Sequence, residues 1–205
     1  MFLLQQPGDI HYCPWKLALI PNALPPQVAD HIRDNFPEME MAITRNKMLN
    51  QVNGPQHMDD PIFKQFFETN WNRRDEIHQT ACEILGVENP DDSKITRWMY
   101  SAVVNGDPQT PVRDWHCDLD SKTLQFILYL GDDSDTITFE AGSEKNAPAT
   151  LSIPMVHNTL IFWASSKETW HRFFPTETGR RYTVNLTSQL HDTNTNYLGL
   201  EEYAT

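Results

Sequence analysis

The sequence predicts a mainly β chain with supporting helices, an α+β domain built around a sandwich or barrel such as a jelly roll. Three observations predict it. From Lys94 onward the chain is a series of short runs rich in β-branched and aromatic residues, separated by turn signals. Several runs, TLQFILYL above all, are apolar at nearly every position, as in a strand covered on both faces. The first 90 residues instead carry helical periodicity. With 205 residues, the chain has the size of one domain and buries enough surface to fold without disulfide staples.

The N-terminal 90 residues read as a helical support region. After Pro25-Pro26, Val28, Ile32 and Phe36 recur four apart on a short helix that Pro37 closes. A longer helix is expected from an Asp60 N-cap and Pro61 at the first helical position to about Leu85, with Gly86 ending it. Its apolar face is Phe63, Phe67, Trp71, Ile77, Ala81 and Leu85. Asn46 to Asp59 is polar and is expected to be an irregular loop. The β runs follow: ITRWMYSAVV, TLQFILYL, TITFE, ATLSI, NTLIFW, WHRFF and RRYTVNL. In TLQFILYL one face lines a barrel interior, and Phe126, Leu128 and Leu130 meet the helix ending at Leu85. The run Asp132-Asp133-Ser134-Asp135 lacks EF-hand spacing and reads as a solvated hairpin turn.

Composition narrows the function classes. Lys and Arg total 16 against 28 Asp and Glu, a formal charge of -12. A surface this acidic repels phosphate backbones and argues against a broad nucleic-acid face. No basic amphipathic helix suits a membrane surface, and no stretch approaches the roughly 18 apolar residues of a span. MFLLQQPGDIHYC lacks the basic start and long apolar run of a secretory signal. Cys13, Cys82 and Cys117 are scattered and form no CxxC, which argues against a disulfide framework and a thiolate-bound zinc. A reduced, cytoplasmic setting is the simpler expectation.

The residues that carry chemistry lie in the β part. His116-Cys117-Asp118 follows a predicted strand, Val112 to Trp115. Alternate residues of extended chain point the same way, so an H-x-D pair can converge on one metal ion. His171 comes 53 residues after Asp118, at the start of WHRFF. Two imidazoles and one carboxylate make the facial triad of non-haem Fe(II) oxygenases, with open positions for substrate-derived ligands and dioxygen. Ten residues on, Arg181 opens RRYTVNL, where a buried guanidinium can clamp a carboxylate with two hydrogen bonds. A second H-x-D, His57-Met58-Asp59, lies in a polar stretch without such context and reads as a surface or pocket-rim pair. His11, His31, His78, His157 and His191 carry no expected role.

Taken together, W-H-C-D at 115–118, F-I-L-Y-L-G at 126–131, T-L-I-F-W at 159–163, W-H at 170–171 and G-R-R-Y-T-V at 179–184 resemble a known family. It is the Fe(II)/2-oxoglutarate-dependent oxygenases, and within them the prolyl-hydroxylase-like branch. The likeness covers residues 95 to 190. It implies a double-stranded β-helix core (jelly roll, cupin-like) over 91–190, with the helices of 1–90 packed on its larger sheet and a tail over 191–205.

The same resemblance implies that His116, Asp118 and His171 ligate Fe(II), with 2-oxoglutarate as cosubstrate, dioxygen as oxidant and ascorbate as a candidate cofactor. Arg181 binds the far carboxylate of 2-oxoglutarate on this reading, and Tyr129 hydrogen-bonds the same group. Parity supports the pair. If Tyr129 points inward, so do Ile127 and Gln125; if Arg181 does, so do Thr183 and Asn185, a polar lining for one end of the barrel. Arg180 is the rival clamp and faces out by the same parity. Cys117, between two ligands, is expected to point away from the metal as an inert buried thiol. Trp163 and Trp170 lie near the site, where packing explains each equally well.

The implied activity is hydroxylation of a prolyl-type (peptidyl or free) or other small substrate, coupled to oxidative decarboxylation of 2-oxoglutarate. Halogenating relatives replace the carboxylate with a small residue, so Asp118 favours hydroxylation. Two alternatives stay open: a nucleic-acid demethylase of the same superfamily, which the charge disfavours, and a non-catalytic cupin-like metal-binding protein, which the intact residue set disfavours. Partners are expected to be a small molecule or a peptide, with neither nucleic acid nor membrane.

Overall fold

The computed structural model describes residues 8–37, 42–44, 47–89, 93–105, 113–119, 121–131, 137–175 and 180–190. The run 132–135 and the residues 106–108 and 178–179, all expected from sequence to form turns, and the expected tail 191–205 lie outside them. In chain order the strands are β1 (Asp9–His11), β2 (Leu17–Pro21), β3 (Ala42–Thr44), β4 (Lys47–Asn53), β5 (Ser93–Asn105) and β6 (Arg113–His116). They continue with β7 (Lys122–Tyr129), β8 (Ile137–Gly142), β9 (Leu151–Met155), β10 (Thr159–Ala164), β11 (Trp170–Pro175) and β12 (Arg180–Leu190). The helices are α1 (Pro26–Asp34), α2 (Pro61–Trp71) and α3 (Arg74–Leu85).

Two antiparallel sheets face each other. The larger has the order β1-β2-β10-β7-β12-β5-β4-β3, the smaller β6-β11-β8-β9. From β5 to β12 the chain passes back and forth between them, with β5, β7, β10 and β12 in one and β6, β8, β9 and β11 in the other. That winding is the double-stranded β-helix, a jelly roll. The support region contributes strands as well as helices, since β1 to β4 extend the larger sheet at both edges.

The larger sheet is buried on both faces, which explains why β7 is buried at every position from Leu124 to Tyr129. Its outer face carries Trp98, Tyr100, Phe126, Leu128, Val184 and Leu186, and these pack with Phe63, Phe66, Phe67, Ile77, Ala81 and Leu85 of α2 and α3. Each large apolar side chain buried there contributes roughly 1.5–3 kcal/mol. Its inner face carries Leu17, Leu19, Ile127, Tyr129, Ile161 and Trp163, packed against Phe139, Ala141, Met155 and Phe173 of the smaller sheet. As expected, Phe126, Leu128 and Leu130 share the cluster that holds Leu85.

Three local expectations need correction. The single helix expected from Asp60 to Leu85 is two, broken at Asn72 and Arg73. The apolar spacing explains the break. Residues 63, 67 and 71 are four apart, as are 77, 81 and 85, but the step from Trp71 to Ile77 is six. At 3.6 residues per turn that step rotates the stripe by about 240°, so a straight helix turns Ile77 away from the sheet. The break resets the phase. Second, β4 lies where an irregular loop was expected: Lys47 to Asn53 pair residue by residue with Asn105 to Met99. KMLNQVN has weak alternation, and backbone hydrogen bonds to β5 hold it. Third, α1 ends at Asp34, so Phe36 leaves the helix and stacks on Tyr182 at 4.6 Å between ring centroids.

The caps match their residues. Asp60 accepts hydrogen bonds from the Ile62 and Phe63 amides at 2.8 and 3.2 Å, and His31 Nε2 meets its other oxygen at 2.7 Å. These contacts, the His31 one foremost, hold the Asp60 carboxyl below its usual range. Gly86 takes a left-handed φ of 59° past the end of α3. Among the described residues, no helix is long and apolar enough to cross a membrane.

His78 joins α3 to the sheet. Its Nε2–H donates to Asn89 Oδ1 at 2.6 Å, and its Nδ1 accepts from the Ser188 hydroxyl of β12 at 2.8 Å. Burial pushes its pKa below the usual 6.5, and the Asn89 bond opposes that only in part. A histidine whose pKa is depressed by folding binds its proton in the unfolded chain first. Its contribution to stability is whole above pH 6.5 and is lost as the pH falls below that value. Urea unfolding of His78→Gln is therefore expected to show lower stability than wild type at pH 7.5 but a shallower decline toward pH 5. Parallel declines contradict this assignment.

Candidate metal centre

The pairing of β11 with β6 places His171 directly opposite His116. Directly opposed residues of an antiparallel pair project to the same face. The two imidazoles therefore emerge side by side, with ring centroids 4.2 Å apart. Asp118 follows two residues after His116 and brings a carboxylate to the same point. One ligand atom from each of His116, Asp118 and His171 lies within 4.8 Å of the others. His171 Nε2 is 3.9 Å from Asp118 Oδ2, and both side chains are only 3% exposed.

Both rings are turned the same way. His116 Nδ1 donates to the Asp114 carbonyl at 2.7 Å, and His171 Nδ1 donates to the Thr169 carbonyl at 2.8 Å. A carbonyl only accepts, so each Nδ1 carries the proton and each Nε2 keeps the lone pair that a metal requires. Two neutral imidazoles and one carboxylate are the donor set of a facial Fe(II) triad, and these residues fit such an ion. The carboxylate is held in turn: Lys122 Nζ donates to Asp118 Oδ1 at 2.9 Å, and Ser165 Oγ to Oδ2 at 3.4 Å.

An aromatic wall backs His171. Trp163, Phe139 and Trp15 lie 4.8, 5.8 and 6.3 Å from its ring. Trp163 is buried in the inner cluster, while Trp170 is half-buried. Trp15 comes from the connection between β1 and β2, and its indole N–H donates to the Gly142 carbonyl at 3.3 Å. Nothing in the sequence marked it, because the contact joins residues 127 apart.

The inner face of the larger sheet also carries a buried polar row. Thr183, Asn185 and Thr187 of β12, Ser101 of β5, Gln125 of β7 and Thr159 of β10 are all buried. Asn185 Nδ2 donates to Thr183 Oγ1 at 3.1 Å, and Thr187 Oγ1 to Gln125 Oε1 at 3.2 Å. Tyr129, 1% exposed, lies in register with Thr183 on one side and Thr159 on the other. A Cβ at Gly131 would run into its hydroxyl, so the tyrosine's position requires glycine there. The expected inward row of Gln125, Ile127 and Tyr129 is thus buried inside the barrel, as are Thr183 and Asn185. Arg181 stands in β12 opposite Val103, two residues before Thr183, and Arg180 opposite Val104.

Cys117 departs from expectation. It is half-buried, not buried, and its thiol donates to the Lys167 carbonyl at 3.2 Å. Desolvation, then the Asp118 charge, pushes its pKa up, which keeps it a protonated thiol. His57 and Asp59 of the second H-x-D are exposed, as expected of a surface pair. His57 sits edge-on to Phe63 at 5.0 Å.

No protein-family model matches the chain, and no curated protein matches it in sequence. Solved structures do match in fold. A 2OG-Fe(II) oxygenase-family oxidoreductase from Burkholderia pseudomallei superposes with a TM-score of 0.58 at 11% identity, covering 85% of this chain and 84% of that one. A prolyl-4-hydroxylase from Pseudomonas putida gives 0.51 at 12% identity, covering 86% and 93%. A non-haem alpha-ketoglutarate-dependent epimerase from nogalamycin biosynthesis gives 0.54 at 11% identity, covering 88% and 83%. What the chain shares with them is the fold, the double-stranded β-helix of 2OG-Fe(II) oxygenases.

The aromatic wall offers a direct readout of the cluster. Co(II), whose absorption makes it a short-range quencher, is expected to quench the tryptophan fluorescence of the wild-type chain saturably. Trp163→Phe should weaken the quenching, with Trp15 retaining part of it, while leaving the midpoint of the titration unchanged. Quenching that is undiminished in Trp163→Phe contradicts a metal position beside His171.

Proposed function

We propose that this chain is a non-haem Fe(II)/2-oxoglutarate-dependent dioxygenase that hydroxylates a prolyl-type, peptidyl or free, or other small substrate. The observation that carries the reading is the register of His171 against His116, which gathers one nitrogen of each imidazole and the Asp118 carboxylate within 4.8 Å of one another. The polar, buried inner row supports it, since a barrel interior that only packs has no use for Ser101, Thr183 and Asn185. The shared fold supports it as well.

On this reading each residue has a task. His116, Asp118 and His171 hold the ion, and the Asp114 and Thr169 carbonyls keep the two rings in the ligating tautomer. Fe(II) with 2-oxoglutarate would supply the oxidising chemistry: 2-oxoglutarate and dioxygen would give succinate and carbon dioxide, one oxygen atom entering succinate and the other a substrate C–H bond. Arg181 clamps the distal carboxylate of the 2-oxo acid with paired N–H donors. Tyr129 and Thr183 flank that end with hydroxyl groups, and Thr159 continues the row. Phe139, Trp163 and Trp15 keep water from the back of the site. The prolyl preference rests on the branch resemblance and on the prolyl-4-hydroxylase among the fold neighbours. Ascorbate is proposed only as a candidate cofactor, and a cytoplasmic setting suits the unpaired cysteines.

The test is succinate formation from 2-oxoglutarate under Fe(II) and air, screened against free proline, proline-rich peptides and a metabolite set. Slow uncoupled succinate release is expected without substrate. Asp118→Ala and His171→Ala should abolish it, and wild-type turnover in either variant sinks the metal assignment. Arg181→Ala is expected to raise the 2-oxoglutarate requirement far more than Arg180→Ala does; the reverse order moves the clamp to Arg180. Product analysis then separates hydroxylation from the epimerisation that a protein of this fold also performs.

A further inference from the structure

We propose that Lys122 is a positioning residue of the metal centre, which holds one oxygen of Asp118 so that the carboxylate offers a metal ion the other oxygen alone. The inference rests on the metal reading above and deepens it. Lys122 Nζ lies 2.9 Å from Asp118 Oδ1, with the two side chains 14% and 3% exposed. Exposed Lys–carboxylate pairs are loose because two long side chains must be ordered against solvent. This pair is sheltered, and the lysine's origin is fixed as well. Its amide donates to the Leu119 carbonyl at 2.9 Å, closing the turn between Asp118 and β7. Its Cα pairs with Gln189 of β12. The ammonium therefore approaches the carboxylate from an anchored strand.

The second oxygen has a different set of neighbours. Oδ2 faces His171 Nε2 at 3.9 Å and accepts from Ser165 Oγ at 3.4 Å. Ser165 is tied by its own amide to the Thr123 carbonyl at 2.9 Å, one residue beyond Lys122. The start of β7 and the end of β10 thus grip the carboxylate from two sides. The grip distinguishes the oxygens: Oδ1 goes to the ammonium, and Oδ2 turns to the His171 imidazole. An ammonium has no lone pair, so Lys122 is itself no ligand.

The distinction matters for coordination. A carboxylate can bind an ion through one oxygen or through both. With two imidazoles, one-oxygen binding leaves three of six octahedral positions open, and two-oxygen binding leaves two. A 2-oxo acid that chelates takes two positions. Only one-oxygen binding then leaves room for a further ligand, so the Lys122 contact keeps the third position available. The sequence holds the signal, a lysine four residues after the H-x-D carboxylate at the head of a strand, but only the contact gives it meaning.

The experiment uses the full chain, loaded with Co(II) alone, without 2-oxoglutarate and without turnover. Affinity is read by titration and coordination by visible absorption. Lys122→Met is expected to bind Co(II) roughly 10–100-fold more weakly, the usual cost of losing a partner that orients a ligand. Its absorption bands should also differ, because the carboxylate can turn both oxygens to the ion. Lys122→Arg should restore most of the affinity and the wild-type bands. Circular dichroism of the metal-free variants checks that they fold; if Lys122→Met does not, Lys122→Gln, one bond shorter than lysine and uncharged, carries the same comparison. Wild-type affinity and bands in the folded neutral variant overturn the proposal and leave the metal reading intact. Failure of the wild type to bind Co(II) saturably, or undiminished binding by His171→Ala, overturns both.

Discussion

The register of β11 against β6 is the constraint on which the candidate site depends. Side chains of a strand alternate, so a slip of one residue in β11 sends His171 to the outside and brings Trp170 or Arg172 to the interior. β6 is short and cannot fix that register alone. The other edge of β11 does so, pairing Trp170 to Pro175 with Gly142 to Ile137 without interruption. An irregularity between His171 and Phe173 on the β6 side then absorbs the mismatch just beyond the histidine. On the outer face Arg172 bridges the register, pairing with Glu140 of β8 and lying 4.8 Å over the Trp115 ring of β6. The inner-face chemistry is thus set by outer-face contacts that never touch it.

The helices perform the complementary task on the larger sheet. A two-layer β fold ordinarily places its main core between the sheets. Here the larger apolar cluster lies outside, between the helices and the outer face of the larger sheet, with Trp98, Phe126, Leu128 and Leu186 at its centre. With that cluster in place, the inner face is free to carry Thr183, Asn185, Thr187, Ser101 and Gln125, which an ordinary core could bury only at a penalty. Each partnered hydroxyl and amide there offsets part of its desolvation, as Asn185 does on Thr183. β12 shows both demands in one run: Val184 and Leu186 turn to the helices, while Thr183, Asn185 and Thr187 turn inward.

The sequence made much of this legible, and the exceptions have physical causes. Period-two alternation in RRYTVNL and continuous apolarity in TLQFILYL are local signals of two-sided burial, and β12 and β7 follow them. Asp60-Pro61 and Gly86 mark helix ends through backbone chemistry that needs no tertiary context. H-x-D and a later histidine can be read as a cluster from spacing and composition. β4 escaped because its stability comes from hydrogen bonds to β5, and backbone bonds leave no trace in side-chain pattern. The helix break was visible in the six-residue step after Trp71, but only to a reading that compared the two stripes in phase. Trp15, Ser165 and the Asp114 and Thr169 carbonyls escaped for a third reason: their contacts to the site depend on which strands become neighbours.

Charge connects the site to the whole molecule. The chain carries a net charge of -12, and 2-oxoglutarate, the proposed cosubstrate, is a dianion. The global field therefore opposes its entry, and screening beyond roughly 8–10 Å removes most of that field in ordinary buffers. What remains decisive is the local balance inside the barrel. Asp118, without a cation beside it, is a buried negative charge where an anion must approach. Lys122, 2.9 Å away, balances it within the protein itself. A protein so acidic thus has reason to pair its candidate ligand carboxylate internally, where screening by salt is weakest.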